Sequence, residues 1–245
     1  MFQAEAAAFS RVGHSVSLIN SERLESSTVK LKPQPASGAP VAYRGWMINP
    51  AEYSNLIESI VAADGRPLTS SDRYLSTHYL PNWYPLISDL TPETVVLPLD
   101  SNWEEQLSQL GWPRFFVKDY VKSLKTSVGS LIERPEQIRT VAAEMEKYRG
   151  TLEGGLCIRR VEDFLPETER RYFVLKHKPY CADQGATIPK IVFDCADRIA
   201  SEFFSVDVVQ RTDGQLRIVE IGDGQVSDLV GWSVNRFIDI WTDFD

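Results

Sequence analysis

At 245 residues with 43% hydrophobic content, the chain can bury a sizeable core, as one large domain or as two sharing an interface. Thirty-four acidic residues against 26 lysines and arginines leave a net charge of −8. That balance argues against a nucleic-acid partner, because binding to phosphate backbones draws on clustered positive charge.

No apolar run approaches the ~20 residues of a spanning helix, and Met1-Phe2-Gln3-Ala4-Glu5 lacks the basic start and apolar core of a signal peptide. A cytoplasmic location without a membrane partner is the expectation. Cys157, Cys181 and Cys195 are odd in number with no CxxC spacing, so neither a disulfide framework nor a zinc site is indicated. His14, His78 and His177 are scattered and read as surface or core residues.

In chain order, Glu5 to Val12 reads as a helix and Ser15 to Ile19 as a short strand. Ser21 to Pro40 is polar and rich in Ser and Pro, hence loop. Val41 to Met47 reads as a strand, Ala51 to Ala63 as a helix and Val95 to Leu97 as another strand, an alternation that implies an α/β layer with parallel pairing. Such a layer normally begins with a strand, and here it begins with a helix.

From Trp112 the pattern becomes a larger α+β unit. Phe115 to Val117 is a strand, Pro135 to Tyr148 an amphipathic helix with Pro near its first turn, and Leu156 to Val161 and Tyr172 to Lys176 are strands. Ile188, Ile191, Val192, Ile199 and Phe203 form one stripe of a helix expected over Ile188 to Phe203. The division implied is 1–111 and 112–245.

The most informative stretch is Ser205 to Gln225. Val206 to Gln210 and Leu216 to Ile221 are β-branched apolar runs flanking Asp213-Gly214, a strong two-residue hairpin signal. If that pair is the turn, Asp207 faces Glu220 directly, with β carbons ~5 Å apart. Like charges so placed are destabilising unless something offsets them. A hard cation would do so, and Asp223 just past the strand end can close an oxygen-rich pocket of the kind Mg²⁺ prefers. A solvated hairpin whose acids face water is the alternative.

Lys118 ends an apolar strand and precedes Lys122-Ser123-Leu124-Lys125-Thr126-Ser127-Val128-Gly129-Ser130, a small, basic, hydroxyl-rich loop. Such a loop can close amides and ammonium groups over a polyphosphate, or simply be solvated. Arg159 lies inside one strand and Arg171 begins the next. An arginine in a half-buried strand needs an anionic partner, here Glu162, Asp163 or Glu169, or a ligand phosphate.

The order of lysine strand, small basic loop, helix, Arg-bearing strand, Glu-x-Arg strand, helix and acidic hairpin resembles the ATP-grasp superfamily, most closely its clade named for two arginines and a lysine. The motifs run from Trp112 to about Leu229, and Val41 to Met47 looks like the clade's N-terminal signature. The resemblance implies an ATP-grasp fold, α/β and α+β, with a small N-terminal α/β domain. It implies Lys118, Arg159 and Arg171 as catalytic residues; Lys118, Lys122, Ser123, Glu162 and Glu169 as contacts to ATP; and Asp207, Glu220 and Asp223 as ligands of Mg²⁺. Arg159 stands near the adenine-side hinge, where typical ATP-grasp ligases carry Glu, so the resemblance leaves the adenine contacts open; Asp223 stands where Asn is common among the Mg²⁺ ligands.

The activity implied is ATP-dependent ligation of a small-molecule or peptide carboxylate to an amine through an acyl-phosphate, with release of ADP and phosphate. A non-catalytic ATP-binding protein acting in phage or toxin conflict is the alternative. A nucleic-acid ligase with a lysyl-adenylate normally carries Lys-x-Asp-Gly, whereas Lys118 is followed by Asp119-Tyr120-Val121. Arg44, Trp46, Trp83 and Tyr84 line the acceptor side in one reading and the core in the other.

Overall fold

The structure is a computed structural model, and it describes residues 2–121, 129–149 and 152–242. Packing separates two compact units: Met1–Thr77 with Arg170–Val208 and Glu220–Asp245, and His78–Glu169 with Val209–Val219. These boundaries differ from a single cut near residue 112. The division falls within three long strands of the C-terminal half, so neither unit is a continuous stretch of chain.

The first unit opens with helix α1 (Phe2–Arg11), followed by a 3-10 turn at Ser21–Glu25. The strand expected at Ser15 to Ile19 is reduced to one bridge between Leu18 and Lys32. Strands β1 (Pro40–Val41) and β2 (Arg66–Pro67) pair in parallel across helix α2 (Pro50–Ala62). Helix α2 starts where the sequence says it should: Asn49 caps the Glu52 amide, the Glu52 carboxylate returns to the Asn49 amide, and Pro50 occupies the first turn. Tyr53 on α2 stacks on Tyr74 of α3 (Ser71–His78) at 3.9 Å, within a core that includes Leu24, Leu56 and Ile60.

The second unit contains the short helix α4 (Leu80–Trp83) and a four-stranded sheet in the order β3 (Thr94–Leu97), β6 (Leu156–Arg160), β4 (Phe115–Asp119), β5 (Leu131–Ile132). Parallel pairing was expected for the strand at Val95 to Leu97, yet β3 pairs antiparallel with β6, as β4 does with both β6 and β5. Helices α5 (Trp103–Leu110) and α6 (Ile138–Arg149) cover one face. Leu97, Phe115, Val117, Leu156 and Ile158 alternate onto that face and pack against Leu107, Ile138, Val141 and Met145. Gly111, at φ 64, ends α5 in a left-handed conformation that favours glycine.

Strand β7 (Phe164–Leu175) turns into β8 (Lys178–Cys181) through Lys176-His177, both at positive φ as a two-residue hairpin requires. The helix expected over Ile188 to Phe203 is only α7 (Lys190–Ala196), preceded by Pro189 in extended conformation. Phe203 instead starts β9 (Phe203–Arg211), which is followed by β10 (Leu216–Asp223) and helix α8 (Val234–Asp239). The second sheet runs β10-β9-β7-β8. In the first unit Phe173, Phe203, Trp232, Phe237 and Trp241 form an aromatic core under it, with Phe203 and Trp241 centroids 4.8 Å apart. Among the described residues, no helix is long and apolar enough to cross a membrane.

Candidate functional site

The sheet of the second unit has one apolar and one polar face, for a simple reason of period. Residues 115, 117, 156 and 158 meet the helices, so Phe116, Lys118, Cys157 and Arg159 turn the other way. Lys118 lies across from Cys157 in the ladder, two residues along from the pairing of Phe116 with Arg159. Both cations are nearly enclosed, at 4% and 5% exposure. Burial pushes the Cys157 thiol up to about 12, against the lowering influence of Lys118.

Arg159 finds its partners within the unit. It donates to the Val219 carbonyl at 2.5 Å and to the Thr91 hydroxyl, and its guanidinium lies 6.0 Å from the Trp83 ring centroid. Trp83, read either as an acceptor-side residue or as core, is 1% exposed and belongs to the core.

Glu162 is bound to other arginines than those the sequence suggested. Arg217 grips it through Nε and Nη2, both at 3.1 Å, and Arg211 approaches to 3.6 Å. Arg217 also donates to the carbonyls of Asp89 and Thr91. Asp163 pairs with Arg114 at 2.9 Å. Around Glu162 lies a cavity of about 640 Å³, lined by Tyr84, Asp89, Thr91, Arg160, Arg211 and Arg217 among others. Its volume falls within the range of small-molecule sites. Glu169 is exposed on β7. Lys122 and Ser123 lie outside the described residues.

The acidic hairpin departs from the expected geometry at its turn. Arg211 N–H donates to the Gln215 carbonyl and Gly214 N–H to the Arg211 carbonyl, so the loop is Thr212-Asp213-Gly214, with Gly214 at φ 89. This is the three-residue hairpin loop closed by a glycine, and it pairs residues summing to 426 rather than 427. At the open end Gly224 N–H donates to the Phe203 carbonyl, a sum of 427. Strand β10 therefore holds one more residue than β9 between these two points, which is a β-bulge. Burial locates it: Ile218 and Ile221, three apart, are both buried, so the inward phase flips between them.

The bulge falls at the level of Glu220. Arg171 on β7 meets the Asp207 carboxylate with Nε at 2.8 Å and Nη2 at 2.6 Å, and donates through Nη1 to the Asp228 carbonyl at 2.9 Å. Burial alone would lower the Arg171 pKa, but the Asp207 hydrogen bonds and charge, with the charges of Glu220 and Asp228, raise it. Asp207 thus has its cation in a side chain, and the charge of Glu220 acts on the same guanidinium. For Asp207, the positive charge that the sequence led one to expect from a metal ion is supplied by Arg171.

Asp223 has separate partners. It is fully buried, accepting at Oδ1 from Gln225 N at 3.0 Å and Gln225 Nε2 at 3.1 Å, and at Oδ2 from the Thr77 hydroxyl at 3.5 Å. Burial raises its pKa to about 7 in spite of those hydrogen bonds. Among the described residues, no group of three His, Cys, Asp or Glu side chains is gathered as a metal cluster.

The sequence profile of the ATP-grasp domain, arginine-arginine-lysine clade, family 3, matches residues 109–241, more than half of the chain. The chain belongs to the ATP-grasp family. The solved ATP-grasp ligase PsnB complexed with minimal precursor superposes with a TM-score of 0.64 at 14% identity, covering 97% of this chain and 92% of that one. The RimK domain ATP-grasp protein from Sphaerobacter thermophilus gives 0.62 at 13% identity, covering 94% and 88%. D-alanine–D-alanine ligase from Bacillus anthracis complexed with ATP gives 0.51 at 13% identity, covering 75% and 71%. No curated protein matches the sequence.

These likenesses establish the ATP-grasp fold, an α+β arrangement, and the superposition with PsnB covers 97% of the chain. The family implies Mg²⁺, and the donor set present bears on whether the ion can be held. Magnesium commonly takes one or two carboxylates and completes its shell with phosphate oxygens and water, so Asp207 and Glu220 suffice without a third protein ligand. Each Asp207 oxygen bonded to Arg171 keeps a second lone pair. The residues fit the ion. Thr91, Arg217 and Gln225 were not singled out from the sequence: Thr91 sits in no motif, Arg217 and Gln225 lie in the hairpin stretch without standing out from it, and the bonds they make to distant parts of the chain identify them.

Proposed function

We propose that the protein is an ATP-dependent ligase that activates a carboxylate and joins it to an amine. The observation that carries this reading is the two-pronged contact of Arg171 on β7 with Asp207 on the adjacent strand β9, with Glu220 on the next strand, β10, close enough for its charge to act on the same guanidinium. PsnB and D-alanine–D-alanine ligase are both named as ligases, and the latter was crystallised with ATP, which supports the same class.

In this reading Lys118 contacts the nucleotide phosphates, with Lys122 and Ser123 in the segment that covers them. Glu169 takes the ribose hydroxyls. Glu162, saturated by Arg217 and Arg211, contributes by holding the strands around the base rather than by direct contact. Asp207 and Glu220 hold Mg²⁺, which when bound neutralises charge on the phosphates. Asp223 supports that pair by fixing the end of β10. Arg159 keeps Val219, next to Glu220, at its place in the strand, and Arg171 stabilises charge developing on the transferred group.

Phosphoryl transfer asks for positioning and charge neutralisation more than for a protein nucleophile. The substrate carboxylate attacks the γ phosphorus, forming an acyl-phosphate and breaking the bond to ADP. The amine then attacks the acyl carbon, phosphate leaves, and the ammonium proton passes to phosphate or solvent. The test is a product assay with Mg-ATP across amino acids, polyamines and peptides carrying a free carboxylate. ADP and phosphate in step with the ligated product are expected, and stoichiometric AMP and pyrophosphate would sink the mechanism.

A non-catalytic ATP-binding role is favoured by one feature, the capture of both Asp207 oxygens by Arg171. It would give a Mg-ATP-dependent rise in melting temperature with no acceptor raising ADP release above background.

A further inference from the structure

Arg44 follows β1 in the stretch expected as a strand, but beyond Val41 the chain leaves the ladder. Its side chain is 11% exposed and its counter-ion, Glu5 of α1, 1% exposed. Arg44 Nε and Nη2 meet the two Glu5 oxygens at 2.8 and 3.1 Å. Nη1 donates to two main-chain carbonyls just past the end of β10, Gly224 at 2.5 Å and Ser227 at 3.1 Å. The guanidinium carbon lies 4.7 Å from the Phe237 ring centroid and 5.5 Å from that of Phe2.

The residues on either side of Arg44 grip the same turn. Tyr43 N–H donates to Gln225 Oε1 at 2.9 Å and Gly45 N–H to the Gln225 carbonyl at 3.3 Å. Gln225 in turn donates through Nε2 to Asp223 Oδ1 and to the Tyr53 hydroxyl. Three consecutive residues therefore fasten the turn from Asp223 to Ser227. A buried ion pair is often no more stabilising than apolar side chains of the same volume. What a planar guanidinium does that an apolar side chain cannot is gather two carbonyls and a carboxylate in fixed directions.

We infer that Arg44, with Glu5 as its counter-ion, is a positioning residue that sets the Asp223–Ser227 turn and so holds the end of the strand bearing Glu220. The inference deepens the ligase reading and rests on it for its functional half. Arg44 touches no reacting atom; it acts through the carbonyls of Gly224 and Ser227.

The test uses the full chain. Arg44→Met alone leaves Glu5 buried without its partner and risks failing to fold, so the informative protein is the Glu5→Gln/Arg44→Met double variant, which removes both charges together. In the nucleotide-free state it should unfold cooperatively within about 4 °C of wild type, while amide hydrogen exchange over residues 216–228 accelerates ~10-fold or more and the rest of the chain keeps its protection. The Mg²⁺ concentration for half-maximal ATP binding should rise ~10-fold or more, the range typical of lost support around a metal site. Arg44→Lys should not restore it, since one ammonium cannot span two carbonyls and Glu5. Exchange over 216–228 equal to wild type, or faster uniformly along the chain, overturns the clasp. Faster local exchange with a Mg²⁺ dependence within about twofold of wild type overturns the positioning role. A wild-type protein that binds no Mg-ATP, with the exchange difference present, overturns the ligase reading and the functional half of the inference while the clasp itself stands.

Discussion

Arg171 holds Asp207 with two parallel hydrogen bonds, at 2.8 and 2.6 Å, between side chains that are 15% and 6% exposed. Two-pronged arginine–carboxylate contacts of this kind are stronger and more directional than single ones. The guanidinium supplies the positive charge that Asp207 needs, and the charge of Glu220 on the neighbouring strand acts on it as well.

Substituting the two acids should therefore have unlike consequences. Asp207→Asn leaves Arg171 without its main partner in a mostly enclosed place, and a loss of ~3 kcal/mol is expected, seen as a lower denaturation midpoint in urea. Glu220→Gln removes a more distant charge, so nucleotide-free stability should change by less than ~1 kcal/mol. Both should abolish the Mg-dependent part of ATP binding. Unaltered Mg-ATP binding in Glu220→Gln would remove that residue from the site.

Asp223 gives the protein a pH signature. Its folded pKa, raised to about 7 by burial, lies above the ~3.9 of an unfolded Asp. Between those values the folded state binds the extra proton, so stability falls as pH rises from about 4 to about 7 and the loss is complete above that. Asp223→Asn keeps an acceptor for Gln225 and can donate to the Thr77 hydroxyl. Metal-free melting curves from pH 4 to 8 should show wild type losing stability relative to this variant, the gap levelling off above pH 7. A constant gap would mean that Asp223 does not titrate in this window.

Lys118→Met retains the apolar stem on the polar face of the second-unit sheet and deletes the charge. The rise in melting temperature with Mg-ATP, taken relative to each protein's own ligand-free value, should shrink as linkage requires, by ~1.4 kcal/mol for each tenfold loss of affinity. Isothermal titration with Mg-ATP provides the check, and affinity equal to wild type would exclude a phosphate contact.

Gly224 has no room for a side chain: a β carbon there would lie 2.6 Å from two atoms of the Phe203 ring. Gly224→Ala must displace either the ring, which is packed against Trp241 and Phe173, or the turn held by Arg44. Overpacking of this kind costs ~1–3 kcal/mol. Thermal unfolding measures that loss, and a weaker Mg-ATP shift in the same variant would show that it is the turn that moves.

Period and punctuation made much of this protein legible from its residues. Asn49-Pro50 and Glu52 announce the start of α2 by local bonds alone. The alternation through Phe115 to Lys118 and Leu156 to Arg159 fixes which side chains face the helices, because a strand has a period of two wherever it pairs. The order of Lys118, Arg159, Arg171, Asp207 and Glu220 along the chain was enough to suggest the ATP-grasp family. Tertiary structure decided the rest, and each case turns on a partner remote in sequence. Whether β3 runs parallel or antiparallel depends on β6, about 60 residues further on. The hairpin signal at Asp213-Gly214 is real, but the loop length and the bulge near Glu220 are chosen by the buried positions of Ile218 and Ile221 on the sheet. The partners of Arg171 and Glu162 were open for the same reason: several carboxylates lay close in sequence, and only the folded strands select Asp207 for one and Arg217 for the other.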